Sequence, residues 1–305
     1  MILNKKINAV SYGEVLFDVF GDEKKIGGAP LNLALRTASF GFPVAMISAV
    51  GKDEDGEVIC DYIKNNKVDT SGMITTADYE TGIVHVTLNE RGSASYEIKF
   101  PSAWDFIEAD EKTQAVVKNA DVFFYGSLVC RNDVSQKTLF GLLDSNPDMF
   151  KVFDVNLRKP FYHIELLERL MTKADFIKFN DEEILEIATD LGFESDNLEE
   201  NIRFISEKTK TNSICVTLGK HGSILLWNDK FYKHGGYPVK VADTVGAGDS
   251  FLASLIAKLL SNKNPDEAMD FASAVGAIVA SKPGANPTIS QTEIDKLLGK
   301  TLSSL

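Results

Sequence analysis

Short apolar runs alternate with amphipathic segments along most of this chain, and this alternation restricts its possible folds more than any other feature. In the amphipathic segments apolar side chains recur at helical spacing, as Val58, Tyr62 and Ile63 do in the first. Strands that alternate with helices form parallel sheets, so we predict an α/β fold with a doubly wound, mostly parallel sheet flanked by helices. The predicted strands are residues 44–50, 121–125, 151–155, 176–179 and 214–218, and the predicted helices are 56–67, 134–144, 163–173, 181–191 and 198–209.

Two β-rich stretches, residues 10–26 and 81–100, interrupt this pattern. In the second, residues 81–88 and 95–100 flank a turn at 89–92, as in a hairpin. We expect one domain over residues 1–305, with insertions at approximately 12–26 and 81–104 that form a small β-sheet lid over a site. The alternative is that these segments only add edge strands to the main sheet.

The formal net charge of the 305-residue chain is -12, and no run of Lys and Arg offsets it. Such a protein repels nucleic acid and anionic membranes, so we expect neither as a partner. No apolar run approaches the roughly 20 residues of a membrane span, and residues 1–6 lack the apolar stretch of a signal peptide. We therefore expect a cytoplasmic protein. Core or surface roles are expected for the widely spaced Cys60, Cys130 and Cys215 and for His85, His163, His221 and His234.

The segment 243–251 has the sequence Asp-Thr-Val-Gly-Ala-Gly-Asp-Ser-Phe and leads directly into an apolar helical face. A helix N-terminus presents unpaired N–H groups, and glycines let an anion approach them closely. Gly246, Ala247 and Gly248 could therefore form an anion hole for a phosphoryl group, and Asp249 could accept the proton of an attacking hydroxyl. The alternative is a helix cap without chemistry.

Other glycine motifs fit this segment poorly. Phe251 occupies the third glycine position of a dinucleotide-binding pattern, and Leu252 occupies the last glycine position of a nucleophile elbow. A Walker-like ending at 299–301 has Ile294 in place of the first glycine. The sequence thus excludes a P-loop enzyme and gives no support to a dehydrogenase.

A second glycine-rich turn, residues 27–32, has the sequence Gly-Gly-Ala-Pro-Leu-Asn and opens another predicted helix. Asn32 would face this turn, and its amide both donates and accepts hydrogen bonds, as sugar hydroxyls require. The alternative is that the turn only initiates the helix.

Together these segments resemble the ribokinase-like (PfkB-type) carbohydrate kinases, over nearly the whole chain and in the same order. Residues 13–18 (Gly-Glu-Val-Leu-Phe-Asp) resemble the first strand of the family, and segments 27–32 and 243–249 resemble its two signatures. The resemblance implies that Asp18, Gly28 and Asn32 bind the sugar and that its primary hydroxyl points at Asp249. It also implies a β lid, through which a homodimer could form.

The resemblance implies further residues for ATP and metal ions. Arg158, in Asp-Val-Asn-Leu-Arg, would reach the transferring phosphate, although without the family it would be read as a surface arginine. Asn180 and Glu183 would organise Mg²⁺ and phosphate, often through water, although the same pair fits a capping box. Nucleotide contacts are implied for Thr217, Gly219, Gly222, Gly248 and Asn286, where 217–222 could instead be a plain hairpin turn. Potassium contacts are implied for Asp243, Val245, Gly284 and Thr288.

Within the family, the motifs at 13–18 and 154–158 favour a fructokinase. The stretch 99–103 resembles the Arg-x-Pro-Ser-Ala of fructokinases, but Lys99 stands where arginine is usual and Trp104 where aspartate is common. The runner-up is a 2-keto-3-deoxygluconate kinase, in which Lys99 or Arg131 would meet the substrate carboxylate. A nucleoside kinase and a non-catalytic sugar sensor are the remaining alternatives.

Overall fold

The structure is a computed structural model, and it describes residues 7–88, 94–261 and 263–299. The chain divides into two compact units, Met1–Met149 and Phe150–Leu305. The expectation of one domain over the whole chain stays a prediction. No helix in the described part of the chain is long and apolar enough to cross a membrane.

The first unit is built on a parallel sheet with strand order β5-β4-β1-β8, in which β1 pairs with β4 and β8. Every residue of β1 and β4 is buried, as expected for central strands covered on both faces. The described strands of this unit are β1 (Ala9–Tyr12), β2 (Leu16–Phe20), β3 (Glu23–Gly27), β4 (Val44–Gly51), β5 (Asp69–Thr76), β6 (Gly82–Leu88), β7 (Ala94–Ile98) and β8 (Val122–Gly126).

Helices of the first unit begin at polar caps or at glycine. The side chain of Asp53 accepts a hydrogen bond from the backbone of α2, and Asp110 and Asn132 do the same for α3 and α4. Gly28 caps the first helix, whose second residue is Pro30. The helices are α1 (Ala29–Ser39), α2 (Glu54–Asn65), α3 (Glu111–Lys118) and α4 (Asp133–Ser145).

A separate four-stranded sheet, which we call the lid sheet, has the order β3-β2-β6-β7. Strands β2 and β6 run parallel, and the other two pairings are antiparallel. Leu16, Val84 and Val86 form its small apolar core. The sheet occupies the two predicted β-rich stretches, and β6 and β7 form the predicted pair, although the turn at 89–92 lies outside the described residues.

In the second unit the sheet has the order β9-β10-β11-β12-β13. Strands β9, β10 and β11 are parallel, whereas β12 and β13 return antiparallel as a meander. These strands are β9 (Phe150–Asp154), β10 (Phe176–Asn180), β11 (Ser213–Thr217), β12 (Ser223–Trp227) and β13 (Lys230–His234). The helices are α5 (Ile164–Thr172), α6 (Asp181–Asp190), α7 (Leu198–Thr209), α8 (Ala247–Leu260), α9 (Pro265–Ala280) and α10 (Gln291–Leu297).

Mostly parallel strands flanked by helices, together with a separate small sheet, confirm the predicted fold class. The predicted bounds agree with the observed elements to within about two residues for most segments. Cys130 and Cys215 are buried, as expected for core residues, and Cys60 is half-buried on α2. Burial raises the pKa of Cys215 to about 12, so its thiol is inert.

Candidate active site

Strands β2 and β3 of the lid sheet bring the two predicted sugar-binding motifs into contact. Asp18 lies opposite Lys25 in this antiparallel pair, and its side chain leans across the backbone of Gly27. A Cβ atom at position 27 would overlap Oδ2 of Asp18, so the carboxylate would have to move to admit a side chain there. The half-buried Asp18 thus lies beside the double-glycine turn, as the sequence motifs predict.

The second glycine of this turn caps helix α1. Gly28 has φ 112°, and a Cβ atom there would overlap the carbonyl oxygen of Glu14. Asn32 donates its backbone N–H to the carbonyl of Gly28 over 2.9 Å and is 4% exposed. Asn32 is therefore buried in the first turn of α1, beside the glycine turn, and its contact with a sugar stays a prediction.

The two cations that could meet an acidic substrate, Lys99 and Arg131, have carboxylate partners in this unit. Lys99, directly after β7, forms an ion pair with Glu80 in which both side chains are exposed. Arg131 makes a bidentate ion pair with the fully buried Asp105, with Nε–Oδ1 and Nη2–Oδ2 distances of 2.6 and 2.7 Å. Its guanidinium also stacks on Trp104. The positive charges of Lys99 and Arg131 are therefore balanced locally.

Asp53, the cap of α2, also anchors the start of lid strand β6. Its carboxylate accepts the backbone N–H of Thr81 over 2.9 Å and the Thr81 hydroxyl over 2.6 Å, besides the N–H of Gly56. On the same helix turn, Asp55 pairs with Lys24 of β3 at 2.7 Å. The first turn of α2 therefore contacts two strands of the lid sheet.

In the second unit, Gly246 caps the N-terminus of α8, which begins at Ala247. Gly246 has φ 74°, and a Cβ atom there would overlap the carbonyl oxygen of Ala285. Gly248 and the half-buried Asp249 lie in the first turn of the helix. The N-terminal amides of a helix and the positive end of its dipole favour an anion, and here a carboxylate lies on the same turn. The N–H of Ala247 is already bonded to the carbonyl of Thr244, over 3.3 Å.

A buried lysine that the sequence analysis did not identify lies next to this turn. A Cβ atom on Gly248 would be 3.5 Å from Nζ of Lys178 in β10. Lys178 also forms an ion pair with Asp154 of β9. Burial opposes its charge, but the charges of Asp154, Glu183 and Asp249 outweigh burial and raise the pKa of Lys178 above its usual value. These charges therefore favour the protonated form of Lys178, next to the first turn of α8.

The signal for Lys178 was present in the sequence. It is the single charged residue in the apolar run Phe176–Phe179, and a buried charge in a central strand needs a partner. The sequence alone could not identify that partner.

Arg158 lies in the segment that follows β9, and this segment is hydrogen-bonded to helix α6. Leu157 donates its N–H to Oε1 of Glu183 over 3.0 Å, and Glu183 Oε2 accepts the N–H of Asn180 over 2.8 Å. Asn180 caps α6 by accepting the N–H of Glu183, so this pair is the capping box that the sequence allowed. The exposed Arg158 hydrogen-bonds through Nη1 to the carbonyl of Leu157.

The predicted nucleotide-binding turn follows β11. Thr217 ends the strand and donates its hydroxyl to the carbonyl of Phe179, and a short 3-10 turn begins at Gly219. Gly222 has φ 93° and packs against the backbone of residues 234–236, where a Cβ atom would not fit. The segment also joins β11 to β12 as a hairpin, so both predicted interpretations of this turn are compatible with the structure.

The residues predicted to contact potassium belong to two segments that the structure joins. Asp243 accepts the N–H of Val245 at Oδ1 over 3.0 Å and the N–H of Gly284 at Oδ2 over 3.1 Å. The half-buried Asn286 follows the residue that packs on Gly246. The carbonyl of Thr288 accepts a hydrogen bond from Lys282. Asp243, Val245 and Gly284 are therefore brought together, and the role predicted for Thr288 stays a prediction.

Asp154, the partner of Lys178, has one oxygen atom that could bind a hard divalent cation. Among residues 7–88, 94–261 and 263–299, no group of three or more His, Cys, Asp or Glu side chains could hold a metal ion by itself. Oδ2 of Asp154 is buried and has no hydrogen-bond partner, whereas Oδ1 faces Lys178. Mg²⁺ binds few protein oxygens and keeps several waters, so the unsatisfied Asp154 oxygen fits such an ion.

Comparison with protein families shows which family this chain belongs to. The model of the pfkB family carbohydrate kinases matches residues 2–292. The chain belongs to the pfkB family of carbohydrate kinases. This membership confirms the predicted family and the predicted enzyme class, a carbohydrate kinase.

Relatives of this pfkB-family chain cover nearly its full length. Fructokinase-1 of Oryza sativa subsp. japonica is 28% identical over 95% of this chain and 97% of its own. A sugar kinase from Pyrococcus horikoshii, solved in complex with ATP, is 29% identical, with a TM-score of 0.82 over 95% of this chain and 97% of its own. The fructokinase of Xylella fastidiosa with bound ATP shares the fold, at 21% identity and a TM-score of 0.87 over 97% and 99% of the two chains.

Proposed function

We propose that this sugar kinase is an ATP-dependent fructokinase in which Asp249 is the catalytic base. One observation carries the proposal: the first turn of α8 combines the Gly246–Gly248 amides with the Asp249 carboxylate, and Lys178 lies beside them. This arrangement provides an acceptor for a hydroxyl proton next to donors for a phosphoryl group. The ATP complex of the Pyrococcus horikoshii relative supports ATP as the donor.

In the proposed reaction, Asp18, Gly28 and Asn32 bind the sugar. Asp249 takes the proton of the primary hydroxyl, whose oxygen attacks the γ-phosphorus of ATP. The bond from this phosphorus to the β,γ-bridging oxygen breaks, and ADP leaves with the electron pair. The amides of 246–248 and the cations of Lys178 and Arg158 stabilise the charge that builds up on the phosphoryl oxygens.

We assign nucleotide contacts to Thr217, Gly219, Gly222 and Asn286. Mg²⁺ would neutralise charge on the phosphates; Asp154 Oδ2 would hold it, with Asn180 and Glu183 nearby and acting through water. For potassium we retain Asp243, Val245, Gly284 and Thr288. The carboxylate of Asp243 joins the two backbone segments whose carbonyl groups would supply further ligands.

The charges near the lid sheet favour a neutral sugar over an acidic one. A ketodeoxygluconate kinase needs a cation for the substrate carboxylate, but Lys99 pairs with Glu80 and Arg131 with the buried Asp105. Breaking the buried pair would leave Asp105 as an uncompensated charge, which is strongly unfavourable. The similarity to plant fructokinases supports fructose in particular. A homodimer formed through the lid sheet and a cytoplasmic location stay predictions.

The test is ADP release from ATP and Mg²⁺ with fructose, ribose, 2-keto-3-deoxygluconate and adenosine, for the wild type and Asp249→Asn. Asp266→Asn is the matched control, because Asp266 also lies in the first turn of a helix, α9. We expect activity with fructose that falls by about 10³-fold or more in Asp249→Asn and is unchanged in Asp266→Asn. Activity only with the keto acid would overturn fructose, and full activity in Asp249→Asn would overturn the base.

A further inference from the structure

The segment that carries Arg158 is fastened at both ends to helix α6. At its start, Leu157 donates its N–H to Glu183, in the first turn of the helix. At its end, the Tyr162 hydroxyl donates a hydrogen bond to Oε1 of Glu186, one turn further along. Residues three apart lie on the same face of a helix, so one face of α6 supports the whole segment.

The contact at the far end involves three residues. Glu186 Oε2 also accepts a hydrogen bond from Nζ of Lys159 over 3.1 Å, so the two carboxylate oxygens hold two different points of the segment. Between these points, Phe161 donates its N–H to the carbonyl of Arg158 over 2.8 Å. The backbone carbonyl of Arg158 is therefore tied to the part of the segment that Glu186 holds.

Tyr162 and Glu186 differ in exposure from Lys159. The Lys159 side chain is 72% exposed and its ion pair with Glu186 contributes little, because surface ion pairs are screened by water. Tyr162 is half-buried, and burial together with the hydrogen bond to Glu186 raises its pKa to about 12. The tyrosine hydroxyl thus stays protonated and keeps donating to Glu186 at physiological pH.

The side chain of Arg158 is the part of the segment that Glu183 and Glu186 do not contact. Its side chain is exposed, and its one hydrogen bond among the described residues goes to the neighbouring carbonyl of Leu157. A long arginine side chain can reach a phosphate only if its backbone is held in place, because a free segment must first be ordered.

We propose that Tyr162 and Glu186 are positioning residues for phosphoryl transfer, which hold the backbone of Arg158 where its guanidinium meets the transferring phosphate. This inference rests on the proposed function of Arg158. It assigns a role in the reaction to two residues that do not touch the substrate, and it makes the face of α6 with Glu183 and Glu186 a support of the catalytic arginine.

A double-mutant cycle tests the proposal, with kcat and KM for fructose and ATP measured for Tyr162→Phe, Arg158→Ala and the double variant. Tyr162→Phe removes only the hydroxyl, and we expect kcat to fall about tenfold, the order of effect of one hydrogen bond to a charged group, with KM for fructose unchanged. In the Arg158→Ala background the same substitution should change kcat less than about twofold, because there is no guanidinium left to position.

Two further variants provide a second test of the same contact and a control. Glu186→Gln should lower kcat when Arg158 is present and have little effect in the Arg158→Ala background, as Tyr162→Phe does. Tyr232→Phe, in the edge strand β13, should leave kcat unchanged. A Tyr162→Phe loss of the same size in both backgrounds would show a merely structural role and overturn the inference while the kinase function stands. Unchanged kcat in Arg158→Ala would overturn the role of Arg158 and this inference with it. Absence of sugar phosphorylation in the wild type would instead overturn the proposed function.

Discussion

Nζ of Lys178 lies 3.1 Å from Oδ1 of Asp154, and the two side chains are only 8% and 3% exposed. The residues are direct partners in the register of strands β10 and β9, so the pairing of the sheet places the ion pair. The same ammonium group is close to Gly248 of the anion site. A buried ion pair adds little to stability over apolar residues of similar size, which argues that Lys178 is present for its charge.

The first prediction concerns Lys178→Met. We expect the free energy of unfolding to fall by about 3–5 kcal/mol, because Asp154 would be left as a buried carboxylate without a counter-ion. We expect kcat to fall by about 100-fold as well, since the phosphoryl group would lose a nearby cation. Urea unfolding and steady-state kinetics measure the two effects separately.

The double variant Lys178→Met, Asp154→Leu tests whether the loss of stability comes from the unpaired Asp154 carboxylate. It replaces the whole pair by apolar residues, so it should recover most of the lost stability. We expect kcat to stay low, because the variant lacks both the cation of Lys178 and the carboxylate proposed to hold Mg²⁺. A double variant that recovers both stability and activity would show that Lys178 serves only to neutralise Asp154.

The second prediction compares two glycines of the same turn. Gly246→Ala should lower the free energy of unfolding by about 2 kcal/mol or more, because the residue has a left-handed backbone and a Cβ atom would overlap the carbonyl of Ala285. Gly248→Ala should leave stability unchanged or slightly raised, since alanine is favoured over glycine in a helix by roughly 1 kcal/mol.

For activity we expect the opposite: the variant that keeps its stability, Gly248→Ala, should lose kcat. A methyl group at 248 lies 3.5 Å from Lys178 Nζ, on the side where the phosphoryl group would approach, so kcat of Gly248→Ala should fall by about 100-fold in a fully folded protein. Thermal melts and kcat for both variants are the measurements. Wild-type kcat in Gly248→Ala would contradict the anion hole.

Sequence patterns were sufficient for most of the fold and for part of the site. The apolar alternation predicted the order of strands and helices, and the glycine turns predicted the N-termini of α1 and α8, because these signals are local. Lys178 was missed because its meaning depends on Asp154 and Gly248, which only strand pairing brings near it. For the same reason the sequence suggested Lys99 and Arg131 as substrate cations, and could not show that Glu80 and Asp105 pair with them.

The third prediction is a pH dependence at Asp53. Burial acts to raise its pKa, but hydrogen bonds from Thr81 and Gly56 and the charge of Lys24 together lower it from 3.8. A carboxylate with a lowered pKa in the folded state stabilises the fold above its unfolded pKa, and this contribution is lost as pH falls through the folded pKa. Asp53→Asn should therefore be less stable than the wild type by about 1 kcal/mol near neutral pH, and the difference should shrink below pH 3.8.

Urea midpoints between about pH 7 and pH 3 measure this difference, with Asp61→Asn on the exposed face of α2 as the control. Asparagine still caps a helix, so the substitution tests the hydrogen bonds to Thr81 rather than the cap. A stability difference that is constant over the whole pH range would show that the Asp53 carboxylate does not anchor strand β6 through its charge.

The last prediction concerns the discrimination against acidic sugars. In Glu80→Gln, the partner of Lys99 is neutral, so its ammonium group can pair with a substrate carboxylate. We expect the Ki of 2-keto-3-deoxygluconate, as a competitor of fructose phosphorylation, to fall by about twofold to fivefold, the scale of an exposed ion pair, with KM for fructose unchanged.

The matched control for Glu80→Gln is Glu97→Gln, an exposed glutamate on lid strand β7. Both substitutions remove one negative charge from the lid region. A general change in the electrostatic potential of this region would therefore lower the Ki of 2-keto-3-deoxygluconate equally in both variants. An effect confined to Glu80→Gln, and reduced at high salt because exposed charges are screened, would assign it to Lys99. Equal Ki values in the two variants would show instead that Lys99 does not face the sugar, and that the neutral-sugar preference has another origin.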